Sequence, residues 1–192
     1  MAFLQEFDFV LASGSPRRKE LFERLNLNFT IRKPDVKEYF PPHFTATEAV
    51  VFLAALKNNA VAFEKENEII VSSDTVVTIN NRILEKPKDV DEALSMLKIL
   101  SGNKHFVHTS VCLRSKTKQH SFFDTTEVTF RSLTEAEMLY YIENFKPFDK
   151  AGSYGAQDWL GLIGIERLKG CFYNVMGFPV SKFYNEFNKI QW

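Results

Sequence analysis

Two stretches of this chain carry residue types at spacings that could handle a polyphosphate. The first is Ser13-Gly14-Ser15-Pro16-Arg17-Arg18, where an apolar run from Phe7 to Ala12 passes through a Gly/Ser turn into a helical pattern of Leu21, Phe22 and Leu25. Ser15 falls at the N-cap and Pro16 at the first helical position. A helix N-terminus gathers anions because its first N–H groups lack intrahelical acceptors and the positive end of the dipole points outward. Arg17 and Arg18 are unfavourable there by roughly 0.3–1 kcal/mol each, a cost that a bound polyanion such as a triphosphate removes. Two solvated surface arginines are the plainer alternative. The turn has neither Walker A spacing nor the Rossmann glycine pattern.

The second stretch is Glu68 to Ile79, a β-branched run interrupted by Ser72-Ser73-Asp74-Thr75. An unpaired carboxylate inside such a strand costs several kcal/mol, so Asp74 is expected to have a cation. Two readings stay open for it: a metal-binding or water-activating carboxylate, or a buried acid satisfied by backbone or by Thr75. Lys57, on a helix, and Lys86, in Glu85-Lys86-Pro87, are candidate phosphate ligands and equally ordinary surface lysines. The four histidines, at 43, 105, 108 and 120, show no zinc-ligand spacing, and His105 and His108 fall on opposite faces of a strand. No GxSxG elbow is present, so Ser/His/Asp catalysis has little support.

These residues must be placed by alternating strands and helices. Residues 26–44 read as irregular. Thr45 with Glu48 forms a capping box for a helix carrying Ala49, Phe52, Leu53, Leu56 and Ala60, with Lys57 on it. The Glu68–Ile79 run turns at Asn80-Asn81 and returns through Arg82–Leu84 as a hairpin. Asp89–Leu100 is helical with Gly102 as its stop, and strands follow in His105–Arg114 and Phe122–Phe130. Ser132 with Glu135 offers a capping box for a helix that Lys146-Pro147 ends. Lys150 to Gln157 is a glycine-punctuated loop. Leu162–Leu168 and Cys171–Val175 read as strands around Lys169-Gly170, and Pro179 opens a last helix through Val180, Phe183, Tyr184 and Phe187.

At 192 residues and 45% apolar content the chain can bury its own core as one domain, or as two closely joined lobes. Its 24 basic and 24 acidic residues balance, so no global field favours nucleic acid or a membrane, and any anion binding is local. Cys112 and Cys171 are far apart and are read as reduced core residues. The first residues carry acids where a signal peptide needs basic ones, and no apolar run approaches the ~20 residues of a membrane span, so a cytoplasmic address is expected. The 19 phenylalanines imply a bulky aromatic core.

Taken together, these residues make the chain resemble the Maf family from end to end. The matching stretches are Leu11-Ala12-Ser13-Gly14-Ser15-Pro16-Arg17-Arg18 with Glu20-Leu21, Leu53-Ala54 with Lys57, Ser73-Asp74-Thr75-Val76-Val77, and Glu85-Lys86-Pro87. They continue in Leu100-Ser101-Gly102 with His105, Val107 and Thr109, in Asp149-Lys150-Ala151-Gly152 with Tyr154 and Gln157, and in Asn174-Val175 with Gly177 and Pro179. Departures are Phe178 where leucine is usual, Asp158 where glycine is common after the glutamine, and a loosely matching acidic loop near Asp35 and Glu38.

The resemblance implies a mixed α/β fold around a long twisted sheet flanked by helices, two lobes with a cleft similar to inosine triphosphate pyrophosphatase, spanning residues 1–192 as one Maf-like domain and often dimeric. It implies hydrolysis of a nucleoside triphosphate to the monophosphate and pyrophosphate, with the position of Asp74 as proton acceptor. The positions of Arg17, Thr75 and Gln157 govern the base, and Arg, Thr and Gln there resemble the subgroup acting on dTTP, UTP and modified pyrimidine nucleotides. The sister subgroup acting on 7-methyl-GTP is the nearer alternative. A nucleotidyltransferase and a non-catalytic nucleotide-binding regulator, the latter prompted by the family's association with septum formation, are further ones. On this reading Asp74 and Glu38 hold Mg²⁺ or Mn²⁺, which hard oxygen ligands favour over zinc. Ser15, Arg17, Arg18, Lys57 and Lys86 meet the phosphates, while Thr75 and Gln157 can read a pyrimidine edge, with Gly152 and Gly155 letting the backbone approach.

Overall fold

The computed structural model describes residues 2–192, with side chains from Leu4 onward. The elements, in chain order, are β1 (Asp8–Leu11), α1 (Pro16–Arg24), β2 (Phe29–Ile31), α2 (Ala46–Asn59), β3 (Glu68–Ile79) and β4 (Arg82–Leu84). They continue as α3 (Val90–Leu100), β5 (Lys104–Arg114), β6 (Gln119–Phe130), α4 (Glu135–Phe145), α5 (Trp159–Gly164), β7 (Ile165–Lys169), α6 (Phe172–Val175) and α7 (Val180–Asn188). The strands form one mixed sheet in the order β2-β1-β3-β5-β6-β7, with β4 paired to β3. The expected mixed α/β class is therefore the one observed.

The chain divides into two compact units. One comprises residues 1–74, 109–124 and 177–192, and the other residues 75–108 and 125–176. In the first, β1 pairs in parallel with both β2 and β3, so that Leu11 stands opposite Ile31 on one side and Val71 on the other. Parallel neighbours need crossovers, which α1 and α2 supply. The phenylalanines concentrate here. Phe9, Phe22, Phe178, Phe183 and Phe187 are almost fully buried and meet ring to ring at centroid separations of 5.1–6.3 Å. Phe178 at its unusual position thus has a role: it fills the space between α1 and α7.

The second unit has its own core of Val77, Leu84, Leu97, Val107, Val128 and Phe130, packed with Met138 and Tyr141 of α4. The β3–β4 hairpin forms as expected. Asn80 and Asn81 both take left-handed backbone angles, φ 50° and 62°, the geometry of a tight hairpin turn.

Several expectations fail for local reasons. Residues 26–44 are not wholly irregular, because β2 lies within them; three mostly exposed residues at a sheet edge leave no alternation to read. The capping box of α4 is Thr134 with Glu137 rather than Ser132 with Glu135. Leu133 is buried and its N–H is held by the Ser101 hydroxyl at 2.7 Å, so the chain stays extended up to Thr134. Leu162–Leu168 is not one strand: α5 ends at Gly164 and only Ile165–Lys169 pairs, antiparallel to β6. A Cβ on Gly161 would fall 2.1 Å from the Ala156 carbonyl, a close approach that this glycine permits and that folds α5 back on the preceding loop. Cys171–Val175 is likewise the short α6, and Cys171 is half-buried rather than a core residue, while Cys112 is buried.

Candidate active site

Just past the paired ends of β1 and β2 stands the Ser13–Arg18 turn, held by Ala12 N–H donating to Val71 O at 2.8 Å. Carboxyl ends of parallel strands are the habitual ligand edge of α/β sheets. Ser15 is the N-cap residue of α1, yet its side chain makes no cap bond; its N–H donates instead to Ser13 Oγ at 3.2 Å. No acidic residue occupies the first turn of α1. The helix end therefore keeps its positive character, and two arginines add to it.

Arg18 is fixed by donating to Gly177 O at 2.9 Å and to Ser13 Oγ at 3.3 Å, and Ser73 Oγ donates to the same Gly177 carbonyl at 3.1 Å. Loss of hydration pushes the Arg18 guanidinium down to about 10, opposed by Asp74 and Glu38, with Arg17 adding to the fall. That coupling places Arg17, Arg18, Glu38 and Asp74 in one electrostatic neighbourhood. A cationic side chain that the sequence pattern does not reveal joins them: a Cβ on Gly14 would meet the Lys33 side chain at 3.3 Å, so Lys33 lies over the turn. Its signal was hidden with β2, whose parallel pairing to β1 brings it there.

The cation that Asp74 demanded is Lys57. Its Nζ donates to Asp74 at 2.5 Å and reaches Glu38 at 2.9 Å. Lys57 is 6% exposed and Asp74 7%, whereas the Glu38 side chain is 45% exposed. Deleting one member of such a buried pair typically costs about 3–5 kcal/mol, because the other is left uncompensated. The Asp74 carboxyl is thereby paired with Lys57 at the end of the first unit's segment of β3. Ser15, Arg17, Arg18, Glu38, Lys57 and Asp74 all belong to that unit, and all but Ser15 are linked by these contacts and fields.

Thr75, Lys86 and Gln157 belong to the second unit. Thr75 shares its face of β3 with Val77, and Val77 packs so tightly on the 150–157 loop that a Cβ on Gly152 would meet it at 3.1 Å. Gly152 N–H donates to Glu85 O at 3.1 Å, tying the loop to the residue before the exposed Lys86. Tyr154 Oη pairs with His105 Nε2 at 2.7 Å, and Tyr141 Oη accepts from Gly155 N–H at 3.1 Å while donating to Asp158 at 2.9 Å. Asp158, the departure from the usual glycine, thus anchors this loop. Within this loop two buried polar atoms have no hydrogen-bond partner, Gln157 Oε1 and the Ser153 hydroxyl, the latter on a residue held at φ 63°. Buried groups left in that state cost about 1–3 kcal/mol unless something else meets them. Ser153 carried no signal in sequence, since serine is ordinary in loops and the left-handed angle is invisible there.

The histidines are structural in character. His105 is buried and held neutral, its pKa lowered to about 4 by burial, and His108 bonds Thr78 and Thr125 at 2.9 Å each. Among the described residues no group of three or more His, Cys, Asp or Glu could hold a metal by itself.

A family model described as Maf-like protein matches residues 8–190. The chain belongs to the Maf family. This Maf chain is 48% identical over 182 residues to the dTTP/UTP pyrophosphatase of Flavobacterium johnsoniae, covering 94% of each. The enzyme of the same name from Cytophaga hutchinsonii is 45% identical over 97% of this chain and 86% of its own length, and that of Bacteroides thetaiotaomicron 39% over 97% and 98%. Among solved structures, that of the Staphylococcus aureus Ham1 protein aligns with a TM-score of 0.48 at 12% identity, covering 93% of this chain and 99% of that one.

Proposed function

We infer that this chain is a nucleoside triphosphate pyrophosphatase that hydrolyses dTTP and UTP, with modified pyrimidine nucleotides in the same class, to the monophosphate and pyrophosphate. The observation that carries the chemistry is the buried Asp74 carboxyl, paired with Lys57 in the electrostatic neighbourhood of a helix N-terminus that bears two arginines. The relatives named dTTP/UTP pyrophosphatase support the substrate class.

In this reaction Asp74 takes the proton of a water as that water attacks the α-phosphorus. The bond from the α-phosphorus to its bridging oxygen breaks, and pyrophosphate leaves with the electron pair. Arg17, Arg18, Lys57 and Lys86 neutralise the charge gathering on the phosphates, and Ser15 lines the turn they occupy. Thr75 and Gln157 read the base; the unpartnered Gln157 carbonyl is an acceptor suited to the N3–H of thymine or uracil.

A divalent cation, Mg²⁺ or Mn²⁺, fits the residues present. Lys57 Nζ marks a point within hydrogen-bond reach of both the Asp74 and Glu38 carboxylates, so a small cation there has two hard oxygen ligands, with waters and phosphate oxygens to complete the set. Asp74 and Glu38 would hold it, and its chemistry there is charge neutralisation on the reacting phosphate. A cytoplasmic address, a homodimer and a single functional domain over residues 1–192 complete the reading; no helix among the described residues is long and apolar enough to cross a membrane.

A panel of nucleoside triphosphates assayed for pyrophosphate release with Mg²⁺ tests the assignment. Turnover of dTTP and UTP well above the purine nucleotides is expected; faster turnover of 7-methyl-GTP would move the chain to the sister specificity. Tight binding without any turnover would make it a regulator.

A further inference from the structure

Lys57 stands where two roles compete. Its ammonium lies 2.5 Å from Asp74 and 2.9 Å from Glu38, the two carboxylates that suit a divalent cation, and it is almost wholly buried in that position. An ammonium and a divalent ion cannot both sit between the same two oxygens. We propose that Lys57 is a built-in stand-in for the metal, occupying the Asp74–Glu38 pair in the free enzyme and giving it up to the metal–nucleotide complex, whereupon its ammonium turns to the phosphates.

The charge count supports the exchange. In the free enzyme Lys57 offsets part of the charge of the two carboxylates. With the metal in place the pair is neutral, and Lys57 adds a positive charge for the triphosphate beside Arg17 and Arg18. A lysine suits this exchange, because its ammonium is a point charge on a four-carbon flexible stem that trades partners without breaking a bidentate fork. Two of the Arg18 donors are already engaged, by Gly177 O and Ser13 Oγ. Free metal therefore binds weakly, because it must displace Lys57 with no phosphate to receive it.

The inference rests on the metal reading above, and its test is independent of turnover. Mn²⁺ binding to the nucleotide-free protein is measured by electron paramagnetic resonance for the wild type, Lys57→Gln and Lys57→Arg. Glutamine is neutral and can still donate to Asp74, which keeps a hydrogen bond in place of the ion pair. Lys57→Gln is expected to bind Mn²⁺ at least about ten-fold more tightly than the wild type, and Lys57→Arg no more tightly. A larger Mn²⁺-induced rise in melting temperature for Lys57→Gln than for the wild type is the second expected readout, and serves if that variant is weakly folded without metal. Equal or weaker Mn²⁺ binding by Lys57→Gln, or tightening by both variants alike, overturns the proposal. A wild type that turns over dTTP while Lys57→Gln fails to tighten sinks this inference alone; tightening in a protein that hydrolyses no nucleotide sinks the functional reading alone.

Discussion

Asp74 lies buried in β3 with the Lys57 ammonium 2.5 Å away. A carboxylate in a β-branched strand announces that it needs a cation, but Lys57 is 17 residues away on another element, and nothing local selects it over Lys86. Replacing Asp74 with Asn keeps the shape and a hydrogen bond to Lys57 but removes the proposed proton acceptor. The variant should fold and lose roughly 10²–10⁴ in kcat, as read in a pyrophosphate-release assay with circular dichroism as the check on folding. His105 carries a separate prediction. Its folded pKa is lowered to about 4 by burial, below the ordinary histidine value, so the unfolded chain binds the extra proton first as pH falls. The His105 contribution is intact above about 6.5 and is lost progressively between there and about 4, at up to about 1.4 kcal/mol per pH unit. Urea unfolding across that range should show this slope in the wild type and a shallower one in His105→Phe, which keeps the ring.

Helix ends separate what local pattern can fix from what it cannot. Thr45 and Glu48 were readable because nothing competes with them, and the box forms with both reciprocal bonds. At α4 two overlapping boxes fit the sequence, and the choice is made by Leu133 burying itself and by Ser101 holding its N–H, contacts that pattern does not reveal. Thr134→Ala should therefore cost about 1 kcal/mol in unfolding free energy, while Ser132→Ala stays within about 0.5 kcal/mol. A larger loss for Ser132→Ala in denaturant titration would put the cap back at Ser132. The same logic explains β2 and α5. A three-residue edge strand and a six-residue apolar turn are too short to show a period, so their nature is decided by partners: β1 for one, the Ala156 carbonyl for the other. With β2 hidden, Lys33 was hidden too. The β3–β4 turn and the helices α3 and α7 were legible because turn residues and periodicity agree with burial, whereas α2 was legible as a helix but not in its face, since Phe52 is exposed and Lys57 and Asn58 are buried.

Across the whole molecule, charge balance and chemistry are reconciled by concentration. A chain with 24 basic and 24 acidic residues has no net field to draw a triphosphate, yet one unit gathers Arg17, Arg18, Lys33 and Lys57 around Asp74 and Glu38. The other unit, by itself, carries a loop with unpartnered polar atoms at Ser153 and Gln157. On the proposed function the cluster around Asp74 directs water to the α-phosphorus of a pyrimidine nucleoside triphosphate. The most direct measurement is hydrolysis of dTTP in water enriched in heavy oxygen, with the products resolved by mass spectrometry. One heavy oxygen in dTMP and none in pyrophosphate is the expected result; label in pyrophosphate, or release of orthophosphate and dTDP, would contradict it.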